Sequence, residues 1–154
     1  MTAVVQRVKS VDMKITDGDN VSNVSIGQGL LILLGVQVGD TEKEMKRLAE
    51  RCRGMRIFCD ENDKMNLSVN DIGGEVVIVS NFTLCADTSH GKRPSFANAA
   101  RPDTALPLYN KFVEEFSKHT PVKTGVFGAD MEINLINDWP VTIILTEEPD
   151  NSDK

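Results

Sequence analysis

Two runs, Leu30-Leu31-Ile32-Leu33-Leu34 and Val76-Val77-Ile78-Val79, are of strand length and apolar at every position. A strand with one solvated face alternates apolar and polar side chains; a strand with no polar side must be covered on both faces. Both runs are therefore read as central strands, the first entered through the turn Gly27-Gln28-Gly29 and the second as part of a strand from Glu75 to Ser80. The remaining chain has to supply the cover. Thr41-Glu42-Lys43-Glu44 has the capping-box pattern and opens a helix with Met45, Leu48, Ala49 and Cys52 at helical spacing. A second helix is expected from Asp103 or Thr104, with Pro107 in its first turn and a buried stripe of Leu106, Tyr109, Phe112, Val113 and Phe116.

Shorter periodic segments complete the pattern. Ala3 to Val8 reads as a strand, and Asp17-Gly18-Asp19-Asn20 as the turn of a hairpin between Met13 with Ile15 and Val21 with Val24 and Ile26. Arg56-Ile57-Phe58-Cys59 reads as a strand closed by a turn over Asp60 to Asp63. Two late strands, Glu132 to Ile136 and Val141 to Thr146, are expected with Trp139-Pro140 at their connection. Many strands and two helices without βαβ alternation predict a mixed α/β fold, a curved barrel-like sheet with the two main helices packed outside. One domain is expected over residues 1–146, followed by a flexible acidic tail over 147–154.

Composition narrows the function. No run approaches the eighteen or so apolar residues of a membrane span. The N-terminal segment enters strand alternation directly, so no signal peptide is expected. Three cysteines, Cys52, Cys59 and Cys85, with no Cys-x-x-Cys pair, suit reduced thiols in a cytoplasmic protein. The net charge of −6 disfavours a general nucleic-acid coat but leaves room for a local basic patch at Lys92, Arg93 and Arg101. A solvated surface explains those three equally well.

Familiar catalytic arrangements are missing. There is no phosphate-binding glycine loop, and His90 and His119 stand alone in polar contexts, so neither a metal nor a cofactor is expected. Cys85 has no histidine at hand and reads as a packed thiol. Thr83 carries a hydroxyl at a strand end, but an unassisted threonine is a poor nucleophile, and a structural hydrogen bond explains it as well.

Two segments remain, Ser80-Asn81-Phe82-Thr83-Leu84 at the end of the second central strand and Asn137-Asp138-Trp139-Pro140-Val141-Thr142 between the late strands. Together they resemble the signature motifs of the D-aminoacyl-tRNA deacylases (D-tyrosyl-tRNA deacylases), which usually read Ser-Gln-x-Thr-Leu and Asn-x-Gly-Pro-x-Thr. This chain has Asn81 for the glutamine and Trp139 for the glycine. Further stretches resemble the family, among them Arg93-Pro94-Ser95-Phe96 and Gly125-Val126-Phe127-Gly128-Ala129-Asp130-Met131, so that the likeness covers nearly the whole chain.

The resemblance implies a proofreading ester hydrolase that removes D-amino acids, and in many members glycine, from tRNA. It implies a homodimer with active sites at the subunit interface, binding the aminoacylated 3′ end of tRNA, with the terminal ribose 2′-OH assisting the chemistry. Ser80, Asn81, Phe82 and Thr83 would form the catalytic segment, the N–H groups of Phe82 and Thr83 facing the oxyanion. Phe127, Gly128, Ala129 and Met131 would receive adenosine. Asn137, Trp139, Pro140 and Thr142, fixed by Arg7, would correspond to the chirality filter that one subunit projects into the other's pocket. The two departures leave a second reading, a relative that binds aminoacyl-tRNA or another adenosine-bearing ligand without efficient turnover.

Overall fold

The computed structural model describes residues 1–150; of the expected tail over 147–154, residues 151–154 lie outside the described residues. The sheet is organised around β1 (Thr2–Asp17), a single long strand where the sequence suggests two short ones. Its first half pairs antiparallel with β3 (Gly29–Gly35) and its second half with β2 (Asn20–Ile26), while β8 (Asp130–Thr146) runs antiparallel along nearly its whole length. β6 (Glu75–Ser80) lies parallel to β3, and the short β7 (Val122–Thr124) lies parallel to β6. A minor pair, β4 (Phe58–Cys59) and β5 (Met65–Leu67), stands apart. The result is a mixed α/β fold with a nearly closed, barrel-like sheet and two helices.

The two central strands are covered as their composition demands. Leu30, Ile32 and Leu34 of β3 and Val76 and Ile78 of β6 face the helices, α1 (Glu42–Gly54) and α2 (Pro102–Ser117). Leu31, Val77 and Val79 face the interior of the curved sheet, against Val11, Met13 and Ile15 of β1, with Leu33 and Met131, Ile133 and Leu135 of β8 packed alongside. The capping box of α1 forms as expected. The Lys43 N–H donates to the Thr41 hydroxyl, and the Glu44 carboxylate accepts from the Thr41 N–H at 2.9 Å.

Further expectations need correction. In α2, Tyr109, Phe112 and Phe116 are buried as expected, but Leu106 is 38% exposed while Ala105 and Leu108 complete the inward face. Because the helix begins at Pro102, Pro107 lies inside it rather than in its first turn. The strand expected from Arg56 is reduced to Phe58–Cys59, since only those residues find a partner in β5. The two late strands are one, because β1 is long enough to pair with both halves. Within β8 the register jumps. Asn137 stands opposite Val8 and Thr142 opposite Gln6, so residues 138–141 bulge out against Arg7 alone.

Candidate functional site

At the end of β6 the chain leaves the sheet and winds into a short 3-10 helix, Phe82–Cys85. Its entry is fixed by the Asn81 N–H donating to the Leu34 carbonyl at 2.8 Å. Gly35 permits the close approach, since a side chain there would meet Leu84 Cβ at 3.0 Å and Cys85 Sγ at 3.1 Å. The first N–H groups of any helix lack an intrahelical acceptor. Those of Phe82 and Thr83 have no acceptor elsewhere among the described residues, so two adjacent donors remain unpartnered at the exposed rim. The Thr83 hydroxyl donates to the Asn81 side-chain oxygen, tying two motif residues together.

Ser80 and Phe82 open onto a cleft of about 420 Å³. Its other walls include Phe96, Ala99 and Ala100 from the loop before α2, and Phe127 and Gly128 beyond β7. The fold thus joins the first motif to the segment expected to receive adenosine, although some 45 residues separate them in sequence. Phe127 leans on Tyr109, whose buried hydroxyl donates to the Ile78 carbonyl at 2.8 Å and is pushed up to about 12 by burial. Gly128 turns at φ +79°, a conformation natural to glycine. Ala129 and Met131 lie beyond the cleft, packed against the sheet's inner cluster.

Neither thiol nor imidazole serves this cleft. Cys85 is buried, its thiol raised by desolvation and donating to the Val36 carbonyl at 3.4 Å. His90 is exposed and contacts the Ser89 hydroxyl, while His119 follows the end of α2. The chemistry at hand is therefore an apolar cleft with Ser80 on its wall and the main-chain donors of Phe82 and Thr83 near its rim, while the Asn81 and Thr83 side chains do not line it. Lys92, Arg93 and Arg101 are exposed around the loop before α2, and none is engaged by a carboxylate among the described residues.

The second motif forms a separate centre. The Trp139-Pro140 bond is cis, and Trp139 sits at φ +99°. Arg7 is buried beneath this bulge. Its guanidinium donates to the Ile57 carbonyl at 2.7 Å and to the Asp138 carbonyl at 3.3 Å. Nε lies 3.3 Å from the Asp138 carboxylate, near enough for charge attraction but not aligned for a hydrogen bond. The Trp139 indole lies over the guanidinium, 4.6 Å from ring centre to Cζ, and remains 63% exposed. Asn137 accepts from the Gln6 amide at 3.3 Å, and Pro140 and Thr142 are exposed.

None of Arg7, Asn137, Trp139, Pro140 and Thr142 lines the cleft of its own chain. Sequence reasoning missed Val36, Ala99, Ala100, Pro102 and Ala105 as cleft walls, and Ile57 and Asp138 as partners of Arg7. An aromatic residue in an otherwise polar loop, Phe96, was the available signal for the cleft.

These two centres can be set beside known proteins. Residues 4–146 match the family described as D-Tyr-tRNA(Tyr) deacylase. A protein of Roseiflexus sp. (strain RS-1) named D-aminoacyl-tRNA deacylase is 53% identical over 146 residues, covering 94% of this chain and 92% of its own. One of the same name from Sulfurihydrogenibium sp. (strain YO3AOP1) is 50% identical over 145 residues, covering 94% and 97%. Among solved structures, the c-Myc DNA unwinding element binding protein is 37% identical, with a TM-score of 0.87 over 96% of this chain and 99% of its own. With the match running from β1 through both motifs to the end of β8, the chain belongs to the D-Tyr-tRNA(Tyr) deacylase family.

Proposed function

We propose that this protein hydrolyses the ester joining a D-amino acid to the 3′-terminal adenosine of tRNA, releasing the amino acid and free tRNA as a proofreading step. Family membership supports the reaction, and one observation ties it to these residues: the unpartnered N–H groups of Phe82 and Thr83 at the rim of the cleft that reaches Phe127 and Gly128. Attack on an ester concentrates negative charge on its carbonyl oxygen, and fixed donors are the economical way to receive it. In acyl transfer one such donor contributes on the order of 3–4 kcal/mol.

Ser80, Asn81 and Thr83 border the reacting end in this reading, and adenine lies toward Phe127 and Gly128, with Ala129 and Met131 supporting that segment. No side-chain base stands beside Thr83, which suits an assisting hydroxyl from the substrate's own ribose. Lys92, Arg93 and Arg101 hold the tRNA backbone.

The active assembly is a homodimer. The outer edge of β8 pairs with no strand among the described residues, and Ile136, Trp139 and Ile144 are exposed along it. The Arg7-braced bulge of Asn137, Trp139, Pro140 and Thr142 serves the cleft of the partner, since it does not line its own.

The test is hydrolysis of matched D-Tyr-tRNA, L-Tyr-tRNA and Gly-tRNA by the purified protein, with spontaneous ester loss subtracted. Turnover of the D-ester with the L-ester spared is the expected result. Loss of no ester above background, with charged tRNA still bound, would overturn the hydrolytic reading in favour of a binding role.

A further inference from the structure

The cleft has an aromatic side wall, Phe82 and Phe96, whose ring-to-ring contact plays no part in the chemistry described above. Phe82 is 57% exposed and Phe96 39%, and neither belongs to the two hydrophobic clusters of the core. Their rings meet edge to face, with centroids 5.2 Å apart and planes at 72°. Among the described residues Phe82 has no other aromatic neighbour. An exposed ring at the start of a one-turn helix has several staggered rotamers open to it unless a neighbour selects one.

The main chain that carries Phe96 is tied down on both sides. Asp87 and Ser95 exchange N–H···O bonds of 2.8 and 2.9 Å, closing the loop just before it. The Phe96 carbonyl accepts from the Ala99 N–H at 3.0 Å, and the next turn is bound to the strand end through Ala100 N–H to Val36 carbonyl and Val38 N–H to Asn98 carbonyl, each 2.9 Å. The Asp87 carboxylate accepts from the Ser89 N–H, bracing the loop's outer part. A ring rooted in that braced loop offers the Phe82 ring a surface to rest against.

We propose that Phe96 is a positioning residue for the hydrolysis: through its edge-to-face contact it holds Phe82, and with it the N–H groups of Phe82 and Thr83, in the orientation that receives the oxyanion. This rests on the catalytic reading above. A side chain that only walled the substrate would act on binding, and one that only packed the core would act on stability. A positioning residue acts on the chemical step, because misplaced donors lose more in the transition state than in the ground state.

The experiment compares Phe96→Leu and Phe96→Tyr with the parent protein. In Phe96→Leu, kcat on D-Tyr-tRNA falls about tenfold, with KM within about twofold and the melting temperature unchanged. Phe96→Tyr keeps the ring and retains parental kcat. Amide ¹H–¹⁵N spectra supply a readout independent of turnover: the Phe82 and Thr83 signals shift or broaden in Phe96→Leu and stay in place in Phe96→Tyr. A rise in KM at unchanged kcat, or Phe82 and Thr83 signals unmoved in Phe96→Leu, overturns the proposal. If the parent itself hydrolyses no ester, the catalytic reading falls on that result. The amide spectra still decide whether Phe96 holds Phe82.

Discussion

Trp139 stands at the centre of the second motif, and its surroundings let its effect be separated into parts. At φ +99° a non-glycine residue costs about 1–2 kcal/mol. The indole over Arg7 returns about 0.5–1 kcal/mol at an exposed position. Glycine would remove the strain but gain freedom in the unfolded chain, offsetting part of the relief. Trp139→Gly is therefore expected to leave stability within about 1 kcal/mol of the parent. Trp139→Ala keeps the strain and loses the indole, so it should be the least stable of the three by about 1 kcal/mol in denaturant titration. An alanine variant as stable as the glycine variant would show that backbone conformation does not govern this site. For activity, the expected outcome is that Trp139→Gly combined with Asn81→Gln raises D-selective turnover. The glycine bares the main chain of the bulge, and the longer amide reaches beyond the Thr83 hydroxyl that Asn81 now accepts from. A double variant no better than the parent on any D-aminoacyl-tRNA would mean that these two residues do not limit the enzyme.

The elements form where local chemistry and burial agree, and this decides what the sequence could reveal. β3 and β6 were legible because a run apolar on both faces has few homes, and α1 because Thr41 and Glu44 mark its start. The continuity of β1 was not, since Lys9 and Ser10 break the alternation between Val8 and Val11, and only β8 pairs across the gap between the β3 and β2 ladders. The first motif's place in a cleft was likewise invisible, because Val36, Phe96 and Ala100 reach it through tertiary packing alone. Turns between elements are held by carboxylates whose proton affinities are lowered. Asp71 accepts from the Ser68 N–H at 2.8 Å, and that bond holds its carboxyl below the usual range. Asp60 is lowered chiefly by the Lys64 N–H, which donates at 3.1 Å. A carboxyl lowered on folding contributes stability that is complete above its unfolded pKa, near 3.9, and lost as pH falls through the folded value. Thermal unfolding followed on the acid side should thus fall more gently for Asp71→Asn than for the parent. Parallel acid limbs would remove Asp71 from the account. Asp40 has the opposite sign: burial raises its carboxyl, so its contribution diminishes as pH rises through the raised value.

For the whole molecule, the two centres of one chain do not meet. The separation predicts an obligatory second copy. Sedimentation should give twice the 17.0 kDa chain mass. Placing a lysine on the exposed row of β8, as Ile144→Lys, should dissociate the pair and abolish turnover together, because charged side chains at a sheet edge oppose strand-to-strand association. A monomeric variant that kept full turnover would mean that each chain completes its own site. Charge bears on the tRNA. With a net charge of −6 the surface repels a polyanion on average, so the proposed role of Lys92, Arg93 and Arg101 makes tRNA binding depend on that local patch. Affinity for charged tRNA should therefore weaken steeply with salt. Arg93→Ala should make the logarithmic slope shallower by about 0.7–0.9, the value of one lost phosphate contact. The same variant should weaken tRNAs of different sequence alike, since phosphate contacts carry no base information. An affinity unchanged between low and moderate salt, in parent and variant alike, would place the RNA contact elsewhere on the molecule and leave the loop before α2 as a wall of the cleft alone.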